Sequence, residues 1–590
     1  MNRIALILFL IIATGAHAQK SIPILERKIT LQLFQEKVPY VLDQIARAGG
    51  FSFSYNNSII SPEERVTVNA SESSVREVLA GIFGQTMEYR EKGNHLILRK
   101  AETKDSPPPY IMFTGYVQDA ITGKRIPDAS VYDKKSISSV ITDEYGFFRL
   151  KLDKKNEPIV VQVNKIHYRD TAVTLGNALT QHLIIGIHHL PDTLTRKELA
   201  PDTLQKESLE MPYEEDVNVQ NIDQPIYRDI QISFLPFLGS NGSLSGNVIN
   251  NYSINMLGGY SRGTRQIELG FIVNMDREDV SWMQVAGIGN LVGGNVYGLQ
   301  ASGFFNVNGG ETKAAQLTGF GNVNFDDVQG VQVAGAANTN LASTQGVQIA
   351  GIGNFNRFSS KGVQVAGVAN VQIGDYTGSQ FSAISNFTSQ RISGSQIAAV
   401  FNYGRKVHGT QIGLVNYADS LGGVPVGLIS FVNKGYHKLE LSADEIFYTN
   451  MAFRTGVRQF YNIILAGYKP ESSSSAEPVW TVGYGIGTAP RLTKWLHFNF
   501  DLTAQHVDQG TYTSQLSLLN KLHIGLDFRV ARKLSLYGGV TLNGYLTKTG
   551  YPDYPVLFTN NQPNIFFEQT YSNGNNLKMW WGLKAGIRLL

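Results

Sequence analysis

The chain of 590 residues contains no cysteine. This absence excludes disulfide bonds, thiolate metal sites, a cysteine nucleophile and a lipidated N-terminal cysteine. Charged residues are scarce, at 17% against about 25% in ordinary soluble proteins, and the net charge of +3 gives no sign of nucleic-acid binding. Glycine, with 59 residues, and aromatic residues, at 11%, are abundant. Together these features favour a mainly β protein of the cell envelope.

The sequence also lacks a long apolar run. Its clearest one, residues 4–13, is shorter than the roughly 20 residues of a membrane-spanning helix. Arg3 precedes this run and Ala16-His17-Ala18 follows it, which is the pattern of a signal peptide, residues 1–18, cleaved after Ala18. The sequence therefore predicts export, and any membrane crossing by the mature chain must use a β-barrel.

Residues 19–102 have the pattern of a small α+β domain. Residues 29–33 and 51–55 alternate as strands around a helix that Gly49-Gly50 end, and a second helix follows Ser74, with Glu77 completing a capping box. The stretches VLDQIARAGGFSFSY and VREVLAGIFGQTMEYR resemble the secretin and TonB short N-terminal (STN) domain. The resemblance implies a periplasmic domain that binds other proteins. A generic α+β spacer is the alternative.

A second domain is predicted over residues 103–189, after the stiff segment at 106–109. Short alternating strands separated by turn residues predict a β-sandwich, and Asp143 is expected to form a turn rather than a metal site. The pattern resembles the carboxypeptidase regulatory-like domain, which implies a structural companion without catalysis. The residues that carry this resemblance are Gly115, Val117, Asp119, Thr122, Gly123, Pro127, Ala129, Val131, Thr142, Asp143, Gly146 and Phe148. Residues 190–225, with the acidic run 214–216, are predicted to be a flexible polar linker.

A sixteen-residue repeat occupies much of residues 226–435. A glutamine recurs at this spacing, an asparagine follows it six residues later, and a small residue lies midway. The glutamines are Gln284, Gln300, Gln316, Gln332, Gln348, Gln364, Gln380 and Gln396, the asparagines are Asn290, Asn306, Asn322, Asn338, Asn354, Asn370, Asn386 and Asn402, and the glycines are Gly287, Gly303, Gly319, Gly335, Gly351 and Gly367. We interpret these residues as a structural scaffold in which side-chain amides bond one another.

Two architectures fit the repeat. Residues 363–373 alternate with period two, long enough for one membrane-crossing strand, and glycine pairs such as Gly293-Gly294 are typical of hairpin turns, so one prediction is an antiparallel meander. The other is a parallel β-solenoid with two short strands per coil and stacked Gln and Asn rows. Over residues 228–438, motifs such as GVQVAGVAN resemble the Leptospira-type surface-repeat family, which implies an envelope protein of no known activity.

The last region, residues 436–590, contains alternating stretches of about ten residues with aromatic residues near their ends, which is typical of an outer-membrane antiparallel β-barrel. A soluble β-sandwich is the alternative. The fold class is therefore predicted as mainly β, with the α+β domain and the sandwich followed by the repeat and the barrel.

The favoured hypothesis is a non-enzymatic outer-membrane protein without a cofactor. Its N-terminal domains would lie in the periplasm and dock a protein partner or relay a signal through the STN-like domain, and lipid would surround the barrel. One alternative is a passive surface or structural repeat protein. Another is uptake coupled to TonB, which is disfavoured because only the linker 190–225 stands where such transporters carry a plug domain.

A hydrolase in the barrel is the remaining alternative. Its candidate residues are His497, His506, His523, Ser514, Ser517 and Ser535, but no spacing joins them into a dyad or triad. The pair His188-His189 lacks further ligands for a metal.

Overall fold

The computed structural model describes residues 22–56, 59–84, 86–100, 110–153, 158–175, 180–191, 212–470, 477–548, 557–558 and 562–589. The predicted signal peptide, the segment 106–109 and most of the predicted linker lie outside these residues. The chain forms two compact units, Met1–Gln224 and Pro225–Leu590. In the described part, no helix is long and apolar enough to cross a membrane.

The first unit begins with an α+β domain whose elements follow the predicted order. They are the 3-10 helix Ile24–Glu26, β1 (Lys28–Lys37), α1 (Val38–Gly49), β2 (Ser52–Ser54), β3 (Arg65–Ser74), α2 (Val75–Phe83), β4 (Met87–Lys92) and β5 (His95–Lys100). The predicted capping box is confirmed, since the Glu77 N–H donates to Ser74 Oγ and the Ser74 N–H donates to the Glu77 carboxylate. Gly50 ends α1 in the left-handed conformation, at φ 67°. Val41, Ile45 and Leu79 pack in the core between the sheets and helices.

A β-sandwich completes most of this unit. Its strands are β6 (Tyr110–Asp119), β7 (Ser130–Asp133), β8 (Ser138–Ile141), β9 (Phe147–Asp153), β10 (Ile159–Asn164), β11 (Thr171–Leu175) and β12 (Thr180–Ile187). They form one sheet in the order β11-β10-β7-β8 and another in the order β12-β6-β9, in which β12 and β6 are parallel. Asp143 forms a turn as expected, because its Oδ1 accepts from the N–H groups of Tyr145 and Phe147 at 3.0 and 2.9 Å.

The prediction of a flexible linker up to residue 225 is wrong for its last part, which is helical. Helix α3 (Tyr213–Asn221) carries the acidic residues 214–216 in its first turn, where the helix dipole favours negative charge. Asn221 Nδ2 donates to the Asp128 carbonyl at 2.8 Å and to Ser130 Oγ at 3.1 Å. These bonds fix the end of the helix on the sandwich.

In the second unit the sixteen-residue repeat forms a parallel solenoid, so the meander prediction is wrong and its alternative is confirmed. Residues sixteen positions apart pair in parallel, as Gln332 does with Gln348 and Asn338 with Asn354. The predicted single strand over 363–373 is two strands, β29 (Ser360–Ala366) and β30 (Ala369–Gln372), separated by Gly367-Val368. The glycine pairs thus turn the chain between strands of successive coils and form no hairpins.

The solenoid strands run in chain order from β13 to β37, with a 3-10 helix, Gly242–Asn247, after β14. They are β13 (Ile226–Leu235), β14 (Leu238–Gly239), β15 (Val248–Asn255), β16 (Gly258–Ser261), β17 (Gly263–Gly270), β18 (Val273–Asp276), β19 (Val280–Ala286), β20 (Gly289–Val292), β21 (Val296–Ser302), β22 (Phe305–Asn308), β23 (Thr312–Thr318), β24 (Gly321–Asn324), β25 (Val328–Ala334), β26 (Ala337–Asn340), β27 (Thr344–Ala350), β28 (Gly353–Asn356), β29 (Ser360–Ala366), β30 (Ala369–Gln372), β31 (Tyr376–Ser382), β32 (Ser385–Ala398), β33 (Phe401–His408), β34 (Gln411–Ile412), β35 (Val415–Leu421), β36 (Pro425–Val426) and β37 (Ile429–Val432).

A closed antiparallel barrel of eight strands ends the chain. The strands are β38 (Tyr436–Asp444), β39 (Thr449–Val457), β40 (Phe460–Lys469), β41 (Val479–Thr488), β42 (Leu496–Gln509), β43 (Ser517–Ala531), β44 (Leu534–Lys548) and β46 (Asn575–Leu589), with β45 (Ile565–Thr570) paired to one end of β46. Pairing of β38 with β46 closes the barrel, from Leu439 opposite Leu589 to Asp444 opposite Lys584. The closed topology excludes the β-sandwich alternative for this region.

Candidate functional site

The glutamine and asparagine side chains form two continuous rows along the buried centre of the solenoid. Gln300 Nε2 donates to Gln284 Oε1 at 3.0 Å, and the later glutamines repeat this bond toward the preceding coil at 2.7 to 3.0 Å. Asn290 Nδ2 instead donates to Asn306 Oδ1 of the following coil at 2.8 Å, and this bond also repeats. The two rows therefore point in opposite directions, and their amides bond one another as a scaffold requires.

The midway glycines allow the coils to stack this closely. A Cβ atom placed on Gly303 would lie 2.0 Å from the Gly287 carbonyl oxygen of the preceding coil, and one placed on Gly319 would lie 2.1 Å from the Gly303 oxygen. A Cβ atom on each glycine of this series, from Gly287 to Gly367, would collide with backbone, whereas the next two coils have alanine there, Ala383 and Ala399. The conformation of the turn and the tight coil spacing thus explain the small residue at the centre of each repeat.

Two buried carboxyl groups end the glutamine row on its N-terminal side. Gln284 Nε2 donates to Glu268 Oε2 at 2.9 Å and to Asp276 Oδ2 at 2.8 Å. Burial and the neighbouring Glu268 raise the pKa of Asp276 well above its usual range. A carboxylate suits this end because each glutamine donates from Nε2 toward the preceding coil, so the first glutamine of the row needs an acceptor there. Our sequence reasoning missed the pair, although Glu268 lies sixteen residues before Gln284 in the repeat register.

The barrel interior contains charged side chains that pair with one another. Glu440, which is fully buried, accepts from Arg588 Nε at 2.9 Å and from the Tyr537 hydroxyl at 2.6 Å. Lys584 Nζ lies 2.9 Å from Glu440 Oε1, and the Arg454 guanidinium pairs with Glu440 Oε2. Four groups from three other strands thus converge on a single carboxylate.

Further ion pairs extend this network along the barrel. Arg454 Nη2 lies 2.9 Å from Asp501 Oδ2, and Arg588 Nη1 lies 3.1 Å from Asp527 Oδ2. Lys521 Nζ contacts Asp444 Oδ2 at 2.5 Å. Side chains of opposite charge therefore occupy the interior, as in small barrels whose lumen is filled.

The outer wall of the barrel is apolar. The exposed side chains on this wall include Leu441, Met451, Ile464, Val482, Leu502 and Leu583, which are 46% to 69% exposed. Strand residues thus alternate between an apolar outer face and a charged inner face, which is the reverse of a soluble protein and the pattern of barrels that stand in lipid. This polarity fits an outer-membrane barrel.

The two ends of the barrel differ. At the short-turn end, strands are joined by residues 458–459, 489–495 and 532–533. At the long-loop end they are joined by residues 445–448 and 510–516 and by two longer connections, after Lys469 and after Lys548, of which the structure describes only parts. The start of β38 and the end of β46 both lie at the short-turn end, since Leu439 pairs with Leu589. Basic residues cluster in the short turns, with Arg458, Arg491, Lys494, Arg532 and Lys533 there.

No family model, curated protein or solved structure matches this chain. The function must therefore be argued from the side chains and their surroundings.

A cavity of about 480 Å³ at the short-turn end contains two of the hydrolase candidates. His497 and Ser535 both line it, together with Lys438, Arg458 and Asp527. Ser535 Oγ accepts from Lys438 Nζ at 3.4 Å. Within the described residues, no hydrogen bond joins a candidate serine to a candidate histidine. In this cavity the hydrogen-bond partner of Ser535 is therefore a lysine and not a candidate histidine.

The other candidates have different partners. His506 Nε2 lies 2.7 Å from the Thr513 carbonyl oxygen, and Ser517 Oγ bonds the Tyr545 hydroxyl at 3.1 Å. His523 Nδ1 lies 3.8 Å from Asp501 within the charged interior. His189 packs edge-on against Tyr168, and the part of the chain that the structure describes contains no cluster of His, Asp or Glu able to hold a metal.

In the first unit, the α+β domain and the sandwich meet at a polar seam. The Tyr116 hydroxyl lies 3.2 Å from Ser74 Oγ and donates to Glu26 Oε2 at 3.1 Å, and burial raises its pKa above the usual range. Arg76 pairs with Glu26 at 2.7 Å and Arg125 with Glu77 at 2.9 Å. The capping-box residues of α2 thus also join the two domains.

Proposed function

We propose that this protein is a non-enzymatic anchor in the outer membrane that holds its N-terminal unit in the periplasm, where the STN-like domain docks a protein partner. The barrel carries the proposal. Its apolar wall suits lipid, and its interior is occupied by buried ion pairs rather than by an open path, which favours anchoring over conduction.

The barrel topology supports the orientation. Outer-membrane barrels have short turns on the periplasmic side and longer loops outside. Strand β38 begins at the short-turn end, so the chain that precedes it enters from the periplasm. The signal-peptide pattern before residue 19 agrees with export to that compartment.

An exposed aromatic residue supports docking through the α+β domain. Phe34 of β1 is 81% exposed and lies beside Gln35, whose φ of 51° marks an irregularity where the pairing of β1 with β3 shifts. Tyr40 at the start of α1 is 49% exposed. Large exposed aromatic side chains are typical anchors of protein interfaces.

The first experiment asks whether the barrel stands in the outer membrane. Mature protein extracted from outer membranes is run on SDS gels with and without boiling, after a carbonate wash of the membranes. We expect the protein to resist the wash and to migrate faster when unboiled. Release by carbonate together with identical migration in both samples would contradict the proposal.

A second experiment tests docking. Phe34→Asp in the full chain should abolish crosslinking of the STN-like domain to a periplasmic protein while the heat-modifiable barrel remains. Ile121→Asp is the matched control, because Ile121 is equally exposed, at 81%, but lies on the sandwich. Equal crosslinking by both variants would show that Phe34 is not part of the docking surface. Absence of any crosslink in the unsubstituted chain would favour the alternative of a passive structural protein, in which the solenoid extends from the barrel without binding a partner.

A further inference from the structure

The outer surface of the solenoid has two edges of different polarity. At the corner that follows the midway small residue, all coils but one present one exposed apolar side chain, and we call this row the apolar edge; the exception is the buried Ala336. The residues of the apolar edge are Ile288, Phe304, Phe320, Ile352, Val368, Ile384, Val400, Leu414 and Leu428, and they are 39% to 57% exposed. With parallel strands about 4.8 Å apart, this edge is on the order of 40 Å long.

The opposite corner of each coil contains a polar residue, and we call this row the polar edge, although Phe325, Phe358 and Ile373 are exposed beside it in three coils. It contains Asp279, Asn295, Glu311, Asp327, Ser343, Ser359 and Asp375. Several of these side chains accept from the backbone of the next coil, as Asp327 Oδ1 does from the Ser343 N–H at 2.9 Å. The solenoid is therefore amphipathic across its width, although its centre is polar throughout.

The last coil shows how the solenoid meets the barrel. In earlier coils the carbonyl of the midway glycine points at the next coil, as Gly335 O does toward Gly351. At the equivalent place in the last coil, Gly427 O instead accepts from Asn462 Nδ2 at 2.6 Å and from the Tyr484 hydroxyl at 2.9 Å. The Thr455 hydroxyl likewise donates to the Ser430 carbonyl at 2.9 Å.

These three donors stand on the outer face of the barrel wall. Arg454 and Tyr461 point inward to Asp501, so their neighbours Thr455 and Asn462 point outward. Tyr484 shares a face with the exposed Val482. Since the coils stack along the direction of these bonds, the solenoid axis meets the wall side-on, and the solenoid extends sideways from the barrel.

The contact between the last coil and the barrel also determines how far each edge lies from the short-turn end, measured along the barrel wall. The polar side of the last coil leads through Gly435 into Tyr436 at the short-turn end. The apolar side, at Gly427, contacts Tyr484, four residues before β41 ends at that same rim. The apolar edge therefore lies farther along the wall, toward the apolar belt of the barrel, than the polar edge does.

We propose that the apolar edge of the solenoid lies in the acyl chains of the phospholipid leaflet on the periplasmic side of the outer membrane, with the polar edge in water. This inference rests on the proposed function, because it requires the barrel to span that membrane. The solenoid is then a monotopic membrane element rather than a free periplasmic rod, and amphipathic elements of this kind lie in the plane of the interface. Lipid is the occupant because the edge is continuous with the barrel's lipid-facing wall.

The absence of cysteine permits a direct test with single labels. Ile352→Cys on the apolar edge and Gln345→Cys on the opposite side of the same coil are each made in the full mature chain, and Leu583→Cys marks the barrel wall. Each variant carries an environment-sensitive NBD probe and is refolded into vesicles of phosphatidylethanolamine and phosphatidylglycerol, with or without nitroxide-labelled acyl chains. Heat-modifiable migration shows that each labelled barrel has folded.

We expect the probes at 352 and 583 to emit at shorter wavelength and to lose most of their fluorescence to the nitroxide, while the probe at 345 reports water. If 583 is quenched and 352 is not, this inference is wrong and the barrel proposal stands. In native outer membranes, the probe at 352 could emit at short wavelength and yet not be quenched by labelled lipid. That result would show that a protein covers the apolar edge, and it would also overturn this inference. If 583 itself reports water, the proposed function fails.

Discussion

The solenoid and the barrel both enclose polar side chains and turn apolar ones outward, but they satisfy the buried polar groups differently. The solenoid uses neutral amides, and each amide bonds its own copy in the next coil. The barrel uses full charges, and its central carboxylate, Glu440, pairs with Arg588 across 148 residues of sequence. In a repeat, one residue type at a fixed spacing provides the hydrogen-bond partner of every buried amide. In the closed barrel, each buried charge needs its own partner from a different position in the sequence.

This difference predicts unequal sensitivity to substitution. Removing one glutamine amide such as that of Gln348 leaves three neutral neighbours short of a hydrogen bond, and removing one charge leaves several opposite charges buried without a partner. The four experiments below test the contrast in order of expected effect.

The largest effect is expected from Arg588→Leu in the barrel. The change leaves Glu440 and Asp527 buried without this partner, and breaking a buried ion pair costs about 3–5 kcal/mol. Urea unfolding of the barrel, followed by loss of the fast-migrating unboiled form, should shift to much lower concentration. Arg532→Leu, at an exposed turn position, is the control and should leave the midpoint unchanged. Equal midpoints for both variants would show that the network contributes nothing.

A smaller loss is expected from Gln348→Leu in the solenoid. Gln332 then loses a donor, Gln364 loses an acceptor, and Asn356 loses both of its hydrogen bonds to Gln348. Unsatisfied buried polar groups cost about 1–3 kcal/mol each. Amide hydrogen exchange should become faster in this coil and in its two neighbours. Gln345→Leu, in the same strand but exposed, should leave exchange unaffected. Faster exchange spread evenly over the whole solenoid would mean that the coils are not independent.

The stacking of the coils is tested with Gly319→Ala and Gly321→Ala. A Cβ atom at 319 would lie 2.1 Å from the Gly303 oxygen, and one at 321 would lie 3.2 Å from the Ala337 oxygen. The first should cost about 2 kcal/mol through overpacking, because the Cβ atom would meet backbone within a series of coils that all have glycine there. The second should cost little, because no atom lies closer than 3.2 Å to its Cβ atom. Hydrogen exchange of strands β23 to β25 measures both. Similar protection in the two variants would refute the role given to the midway glycine.

The smallest effect concerns Asp276, whose pKa is raised by burial and by Glu268. A raised folded pKa means that the protonated form is preferred, so its stabilisation is complete at acidic pH and declines as pH rises through the folded pKa. Asp276→Asn, the residue found at the equivalent place in β22 and β24, should stabilise the first coils by about 1 kcal/mol at neutral pH and flatten this dependence. Exposed Asp326→Asn is the control. If the stability of the first coils depends on pH as strongly in Asp276→Asn as in the parent chain, a group other than Asp276 is responsible for that dependence.

How much of this could be predicted from sequence depends on the distance over which residues interact. The capping box at Ser74 and Glu77 and the sixteen-residue register are local or periodic, and sequence reasoning found both. The choice between meander and solenoid was open because period-two alternation is the same in either, and the break at Gly367-Val368 has no separate signal. The barrel network could not be predicted, since nothing in the sequence near Glu440 points to Arg454 or Arg588. Helix α3 was missed because its contacts with Asp128 and Ser130 lie far away in sequence.

The opposite directions of the two amide rows have a consequence for how this gene can change. Every internal coil offers the next one the same partners in the two amide rows, and the ends are closed by other structures, the Glu268 and Asp276 pair on one side and the barrel wall on the other. An in-frame gain or loss of sixteen codons would therefore leave both ends and the bonds of the two rows intact. Such a change would alter only the reach of the solenoid, one coil spacing at a time.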